Sequence, residues 1–141
     1  MNNITSANAT AYMVVKELYP AGFVLNNFAT DQAIDEAEDT IAETRIGVDG
    51  VMAAGYVPTI KSVTITFEAA SPSVPYMNNI YLAAQKNLRT YECTLVINVP
   101  ATGKTYTYSH GVLKTAKALP ALKTVLDPVS YAFDFNTKSI S

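Results

Sequence analysis

Ile60-Lys61-Ser62-Val63-Thr64-Ile65-Thr66-Phe67-Glu68-Ala69 alternates without a break, with Val63, Ile65, Phe67 and Ala69 toward one face and Ser62, Thr64, Thr66 and Glu68 toward the other. Period-two alternation in β-branched residues marks a strand with one buried and one wet face. Ser71-Pro72-Ser73 stops it, and Ser73 is placed to cap a helix that has Pro75 in its first turn. From Pro75 to Arg89 the stripe Met77, Ile80, Tyr81, Ala84 and Leu88 opposes Asn78, Asn79, Gln85, Lys86 and Arg89. Tyr91 to Val99 then alternates again, with Tyr91, Cys93, Leu95, Ile97 and Val99 on one face. The stretch from Ile60 to Val99 therefore predicts one helix laid on the apolar face of a β-sheet.

The remainder of the chain is consistent with one domain around that unit. A length of 141 residues, 49% of them apolar and 16% charged, suits a folded core and excludes disorder. A net charge of −2 argues against a groove that grips nucleic-acid backbone. No apolar run approaches the ~18 residues of a membrane span. The N-terminus, Met1-Asn2-Asn3-Ile4-Thr5-Ser6, has neither the basic nor the apolar region of a signal peptide. The chain reads as a soluble protein made in the cytosol. Its single cysteine excludes an internal disulfide, and Cys93 reads as a small core residue.

Residues 1–11 read as a flexible arm, with a first strand over 12–18 closed by Tyr19-Pro20-Ala21-Gly22. Phe23, Val24, Leu25 and Phe28 form a short apolar patch. It is either a loop with exposed hydrophobics, a candidate subunit contact, or a strand end tucked under the core. Residues 31–43 carry six of the twelve acidic residues. Ile34, Ala37, Ile41 and Ala42 are spaced as a helix face, which propensity favours, although an edge strand also fits. Asp49-Gly50 between apolar residues predicts a hairpin turn, and Pro100-Ala101-Thr102-Gly103 a second. Residues 105–112 resume alternation, placing His110 with Tyr106, Tyr108 and Val112. Residues 114–127 read as a long connection or a poor helix, and 131–135 as a last strand.

Little in this inventory supports catalysis. His110 is the only histidine and Cys93 the only thiol, too few ligands for a zinc site. A lone histidine on a strand face reads as structural. No phosphate-binding loop, dinucleotide fingerprint or nucleophile elbow is present. The carboxylates of Asp35, Glu36, Glu38 and Asp39 lack the spacing and central glycine of a calcium loop. Nine tyrosines and five phenylalanines without interleaved basic residues read as strand packing and not as base stacking. No catalytic, cofactor or metal residue is assigned, and the chain is not expected to be an enzyme. Such a domain binds or assembles, and its sheet edges must be paired, covered or charged.

Gly47-Val48-Asp49-Gly50, then a Thr-rich strand, then Ala70-Ser71-Pro72-Ser73 opening a short helix, resembles the tail tube proteins of contractile-tailed bacteriophages. The turn at Pro100-Ala101-Thr102-Gly103 and the Gly111-to-Lys117 connection also fit, so the resemblance spans roughly Val14 to Phe135. It implies a mainly β fold, a β-sandwich or small barrel of about six to seven strands, with one short α-helix packed on it. It further implies a structural virion protein that assembles into stacked hexameric rings. These form the inner tail tube, a conduit for genome delivery, put together in the bacterial host cytoplasm. The implied partners are further copies of the chain and the tail sheath protein, with tape-measure protein and DNA transiently in the lumen and no membrane. The same fold builds inner tubes of bacterial secretion and extracellular contractile injection systems, the alternative reading. A monomeric ligand-binding β-barrel is a third. The resemblance turns residues 31–41 toward an extended segment, making Asp35, Glu36, Glu38 and Asp39 candidates to line the lumen as a mildly acidic wall that repels phosphate.

Overall fold

The computed structural model describes residues 9–25, 34–117, 119, 122 and 124–141. In chain order the elements are β1 (Thr10–Val15), β2 (Tyr19–Val24), β3 (Ile34–Glu36), β4 (Ala42–Ile46), β5 (Met52–Tyr56) and β6 (Lys61–Phe67), then the helix α1 (Val74–Asn87), then β7 (Cys93–Val99), β8 (Lys104–Lys117) and β9 (Val129–Ile140). Seven strands make one antiparallel sheet in the order β2-β1-β7-β8-β9-β6-β3, while β4 and β5 pair with each other in a separate ribbon. The fold is mainly β with one helix among the described residues, as the alternation predicts. The sheet curls into a sandwich-like body without closing, since β2 and β3 are its edges among the described residues.

The alternating strands place their apolar faces as read. Val63, Ile65 and Phe67 of β6 and Cys93 and Leu95 of β7 are wholly buried. They meet Met13 and Val15 of β1, and Tyr131, Phe133 and Phe135 of β9, in one core. The helix covers that face through Met77 and Ile80, and the Tyr131 hydroxyl donates to Asn78 Oδ1 at 2.6 Å. Ser73 takes the N-cap position, but its hydroxyl turns to the Val24 carbonyl at 3.5 Å, tying the helix start to β2. Leu88, expected on the buried stripe, is 90% exposed. It is the helix C-cap at φ 52, and this left-handed turn swings its side chain off the stripe.

Other departures arise from pairing. β2 runs through Pro20 and Gly22, which the sequence presents as a turn. An edge strand tolerates proline because one side of its backbone needs no partner. Residues 114–117 belong to β8, so the connection to β9 begins later than expected. The predicted strand over 131–135 extends to twelve residues because β8 pairs with β9 from Tyr106 to Lys117. β8 also carries irregularities against β7 near His110 and against β9 near Lys114. His110 has φ 56 and points outward, off the expected alternation with buried Tyr108. A bulge inserts one residue, so the side chains after it exchange faces. The first eight residues of the expected arm lie outside the described residues.

Candidate assembly interface

The described part of the acidic segment, residues 34–43, is not helical, and Asp31 lies outside the described residues. Ile34, Asp35 and Glu36 pair with Ile65, Thr64 and Val63, and residues 37–41 continue without regular structure. Pairing to β6 satisfies backbone groups that an isolated helix turn would leave to water, and it overrides the local propensity. The pairing puts Glu36 on the face of Val63, toward the core, and Asp35 on the opposite face.

The four carboxylates thus separate into two pairs. Glu36 is held: Lys138 Nζ lies 2.8 and 2.6 Å from its two oxygens, and the Tyr108 hydroxyl donates to it at 2.7 Å. Lys138 also sits over the rings of Tyr106 and Tyr108, at 5.6 and 5.5 Å from their centroids. Burial, with the Glu36 carboxylate beside it, pushes the Tyr108 hydroxyl well above the usual phenol range. Asp39 accepts from the Thr59 hydroxyl and lies 3.6 Å from Lys61 Nζ. The Thr59 bond holds its carboxyl below the ordinary value of 3.8, against a smaller desolvation effect, and the Lys61 charge adds to the lowering. Asp35 and Glu38 remain exposed.

These ties fix the root of the β4–β5 ribbon. The chain leaves the sheet after Glu36, returns through Thr59, and is bonded at both ends, with Ala37 N–H donating to the Ser62 carbonyl at 3.0 Å. Beyond Asp39 every residue of β4 and β5 is exposed. The turn forms as Asp49-Gly50 predicts: Gly50 has φ 80, and Asp49 Oδ1 accepts from Val51 N–H at 3.0 Å. Across the ribbon Ala42, Thr44 and Ile46 oppose Tyr56, Ala54 and Met52, so these six share one face. Glu43 and Arg45 share the other with Gly55 and Ala53. The ribbon is amphipathic, with its apolar face open to water. The strict alternation of Glu43, Arg45 and their neighbours was available in the sequence as a signal for that face.

At the β2 edge the structure buries Phe23 and Leu25 in the protomer's own core and leaves Val24 51% exposed. Phe23 and Leu25 thus pack under the core of their own chain, and Phe28 lies outside the described residues. Phe23 stacks on Tyr76 with centroids 4.6 Å apart, and Tyr19 meets both rings edge-on. A groove of about 450 Å³ opens here between Tyr12, Gly22, Val24, Pro72 and Tyr76.

A charged rim occupies the far end of β7. His110 Nδ1 is 2.6 Å from Glu92 Oε1, Lys16 Nζ is 3.8 Å from Glu92 Oε2, and Arg89 pairs with Glu17 at 2.6 Å. Among the described residues no group of three or more histidine, cysteine or carboxylate side chains is placed to hold a metal ion, and no helix is long and apolar enough to cross a membrane. Cys93 is buried, and desolvation, with Glu92 adding, pushes its thiol up to about 12, so it is inert.

The family model described as "Tail fiber protein gp32" matches residues 2–139. The chain belongs to that family. A search of curated protein sequences gives no match. Among solved structures, this gp32-family chain is similar to one in the baseplate of the anti-feeding prophage, at TM-score 0.68 and 12% identity over 100% of this chain and 97% of that one. It is also similar to one in the sheath/tube terminator of an extracellular contractile injection system, at TM-score 0.64 and 9% identity over 100% and 98%. A third, in the sheath–tube complex of such a system, has TM-score 0.54 and 10% identity over 93% and 87%. The gp32-family chain thus has the tail tube fold that its turns and strand–helix–strand unit resemble.

Proposed function

We propose that the chain is a non-catalytic structural subunit that assembles into stacked hexameric rings, the inner tube of a contractile tail and the conduit for genome delivery. The observation that carries this reading is a full-length fold similarity to chains of contractile machines, in a family whose description names a tail component. The edges that β2 and β3 form among the described residues, and the exposed ribbon, are surfaces of the kind such assembly uses. Partners in this reading are further copies of the chain and a sheath around them, with tape-measure protein and DNA passing inside. The exposed pair Asp35 and Glu38 is the better part of the acidic wall, because Glu36 and Asp39 are already paired within the protomer. A reconstruction with Asp35 and Glu38 turned toward the sheath would remove that assignment. Of the patch, this reading gives Val24 to the contact with a neighbouring subunit, supported by its exposure.

A second reading is the inner tube of an extracellular injection system, favoured by the origin of the three similar structures. Electron microscopy of the purified protein tests the shared core of both. Rings or filaments of uniform width are expected, and a strict monomer at high concentration contradicts them. Sheath and tape-measure genes alongside a capsid gene would separate the first reading from the second.

A further inference from the structure

We infer that Asp49–Gly50, at the turn between β4 and β5, is a site of spontaneous backbone rearrangement, where the chain acquires a β-linked isoaspartate. That residue displays a free α-carboxylate. It is the group that a protein carboxyl methyltransferase, with S-adenosylmethionine as methyl donor, takes as substrate. Asp49 is the one aspartate or asparagine of the sequence that precedes a glycine. Glycine leaves its amide nitrogen without a side chain beside it and lets the backbone turn freely, so the carboxyl group before it can approach.

The turn places both reacting groups in one ring. Val51 N–H donates to Asp49 Oδ1 at 3.0 Å, which folds the carboxyl group back along its own chain. The ring closed by that bond contains Asp49 Cγ and the Gly50 nitrogen, and a bond across it makes a five-membered imide. Space is available, because a β-carbon on Gly50 would meet nothing within 4 Å and every residue from Gly47 to Val51 is exposed. Gly47 contributes by lacking a side chain, since Asp49 Oδ1 lies 2.8 Å from where its β-carbon would stand. The Gly50 N–H donates to the Gly47 carbonyl at 3.0 Å, and water replaces that carbonyl when the exposed turn opens. The other described aspartates lack this freedom. Asp39 is held by Thr59 and Lys61, and Asp134 by Ser62 at 2.7 Å and Lys114 at 3.5 Å. Asp35 precedes Glu36 within the β3–β6 pairing, and Asp127 precedes Pro128, whose nitrogen carries no proton to give up.

The rearrangement needs only water. The Gly50 nitrogen attacks Asp49 Cγ and gives up its proton, and one carboxyl oxygen leaves as water. A second water adds at the former main-chain carbonyl of Asp49 and breaks its bond to the Gly50 nitrogen, which stays attached through Cγ. Nothing is oxidised or reduced, and the mass is unchanged. The product has one methylene more in its main chain, and Val51 N–H loses its side-chain acceptor. The Gly47 N–H bond to the Val51 carbonyl, at 2.9 Å, and the Ile46–Met52 pair lie directly beside the change. A lengthened turn cannot close the two strands in the same register.

The test is incubation of the folded, full-length protein at physiological pH and temperature, followed by tryptic digestion. Cleavage after Arg45 and Lys61 releases residues 46–61, with Asp49 as their only aspartate. An isomer of this peptide with the same mass and a different retention time is expected. It should accept a labelled methyl group from S-adenosylmethionine and isoaspartyl methyltransferase, which the original peptide does not. Incubation in heavy-oxygen water should leave one labelled oxygen at residue 49. Asp49→Glu keeps the charge, but its longer side chain must close a six-membered ring, which is far slower. Circular dichroism checks that this variant folds, and it is expected to lose the isomer and the methyl label. Absence of the isomer from the folded wild type, over the time in which a synthetic 46–61 peptide reaches half conversion, overturns the inference. Methyl label that persists in Asp49→Glu, or that gathers in another tryptic peptide in place of 46–61, overturns it as well.

Discussion

Gly111 of β8 lies directly opposite Phe135 of β9, and the phenyl ring fills the space in which a β-carbon on Gly111 would stand. Gly111 also pairs with Cys93 of β7, so three strands meet at a point where one has no side chain. The ring covers backbone that would otherwise face a void. Gly111→Ala forces Phe135 out of its site against Tyr108, whose ring centroid is 5.3 Å away. Overpacking of this kind costs about 1–3 kcal/mol, measurable as a lower midpoint in urea with an unchanged slope.

Ile80 carries the helix onto the core and is 1% exposed. Ile80→Asp buries an unpaired carboxylate and removes the packing of α1, a loss of more than about 3 kcal/mol. The variant is expected to be insoluble or unfolded, before any effect on assembly. Soluble, folded Ile80→Asp protein that only fails to polymerise would show that α1 faces a neighbour and not the protomer's own sheet.

Glu36→Gln keeps the shape of the ribbon's root but removes the charge that Lys138 and Tyr108 share. The expected loss is about 1–2 kcal/mol, because both side chains of the ion pair retain some access to water. Hydrogen exchange reads it locally: amides of β3 and of residues 37–41 should exchange faster, while those of β7 stay protected.

Asp39 has its carboxyl held below 3.8 in the folded protein, mainly by Thr59. A lowered value in the folded state means that the unfolded chain takes up a proton first as the pH falls. The contribution is complete at neutral pH and disappears as the pH drops below 3.8 through the folded value. Asp39→Asn is expected to remove that part of the acid sensitivity, seen as a flatter dependence of the thermal midpoint on pH in the acid range.

The alkaline side runs through Cys93. Its thiol titrates ordinarily at 9.0 and is raised to about 12 in the fold, chiefly by burial. Above pH 9 the unfolded chain loses the proton while the folded protein keeps it, so stability falls as the pH rises toward the folded value. Cys93→Ala should flatten the decline between pH 9 and the onset of tyrosine ionisation at the ordinary value of 10.0. Thermal unfolding across that interval measures the difference.

The residues alone determined the body of this protein. Strict alternation in 60–69 and 91–99 can satisfy a half-buried strand and little else, and the stripe of Met77 and Ile80 needs a sheet to lie on. Asp49-Gly50 and Gly103 mark turns because their backbones reach φ 80 and φ 68 at Gly50 and Gly103. Only the tertiary structure decided residues 34–36, where pairing to β6 outweighs helix propensity, and Phe23, which is buried against Tyr76 of a helix far along the chain. It also decided which carboxylates are spent on Lys138 and Lys61, 102 residues away in the case of Glu36 and Lys138. Periodicity is a local property and is written in neighbouring residues. Partner choice across a curled sheet is not local, and the sequence states it only after the strands have found their order.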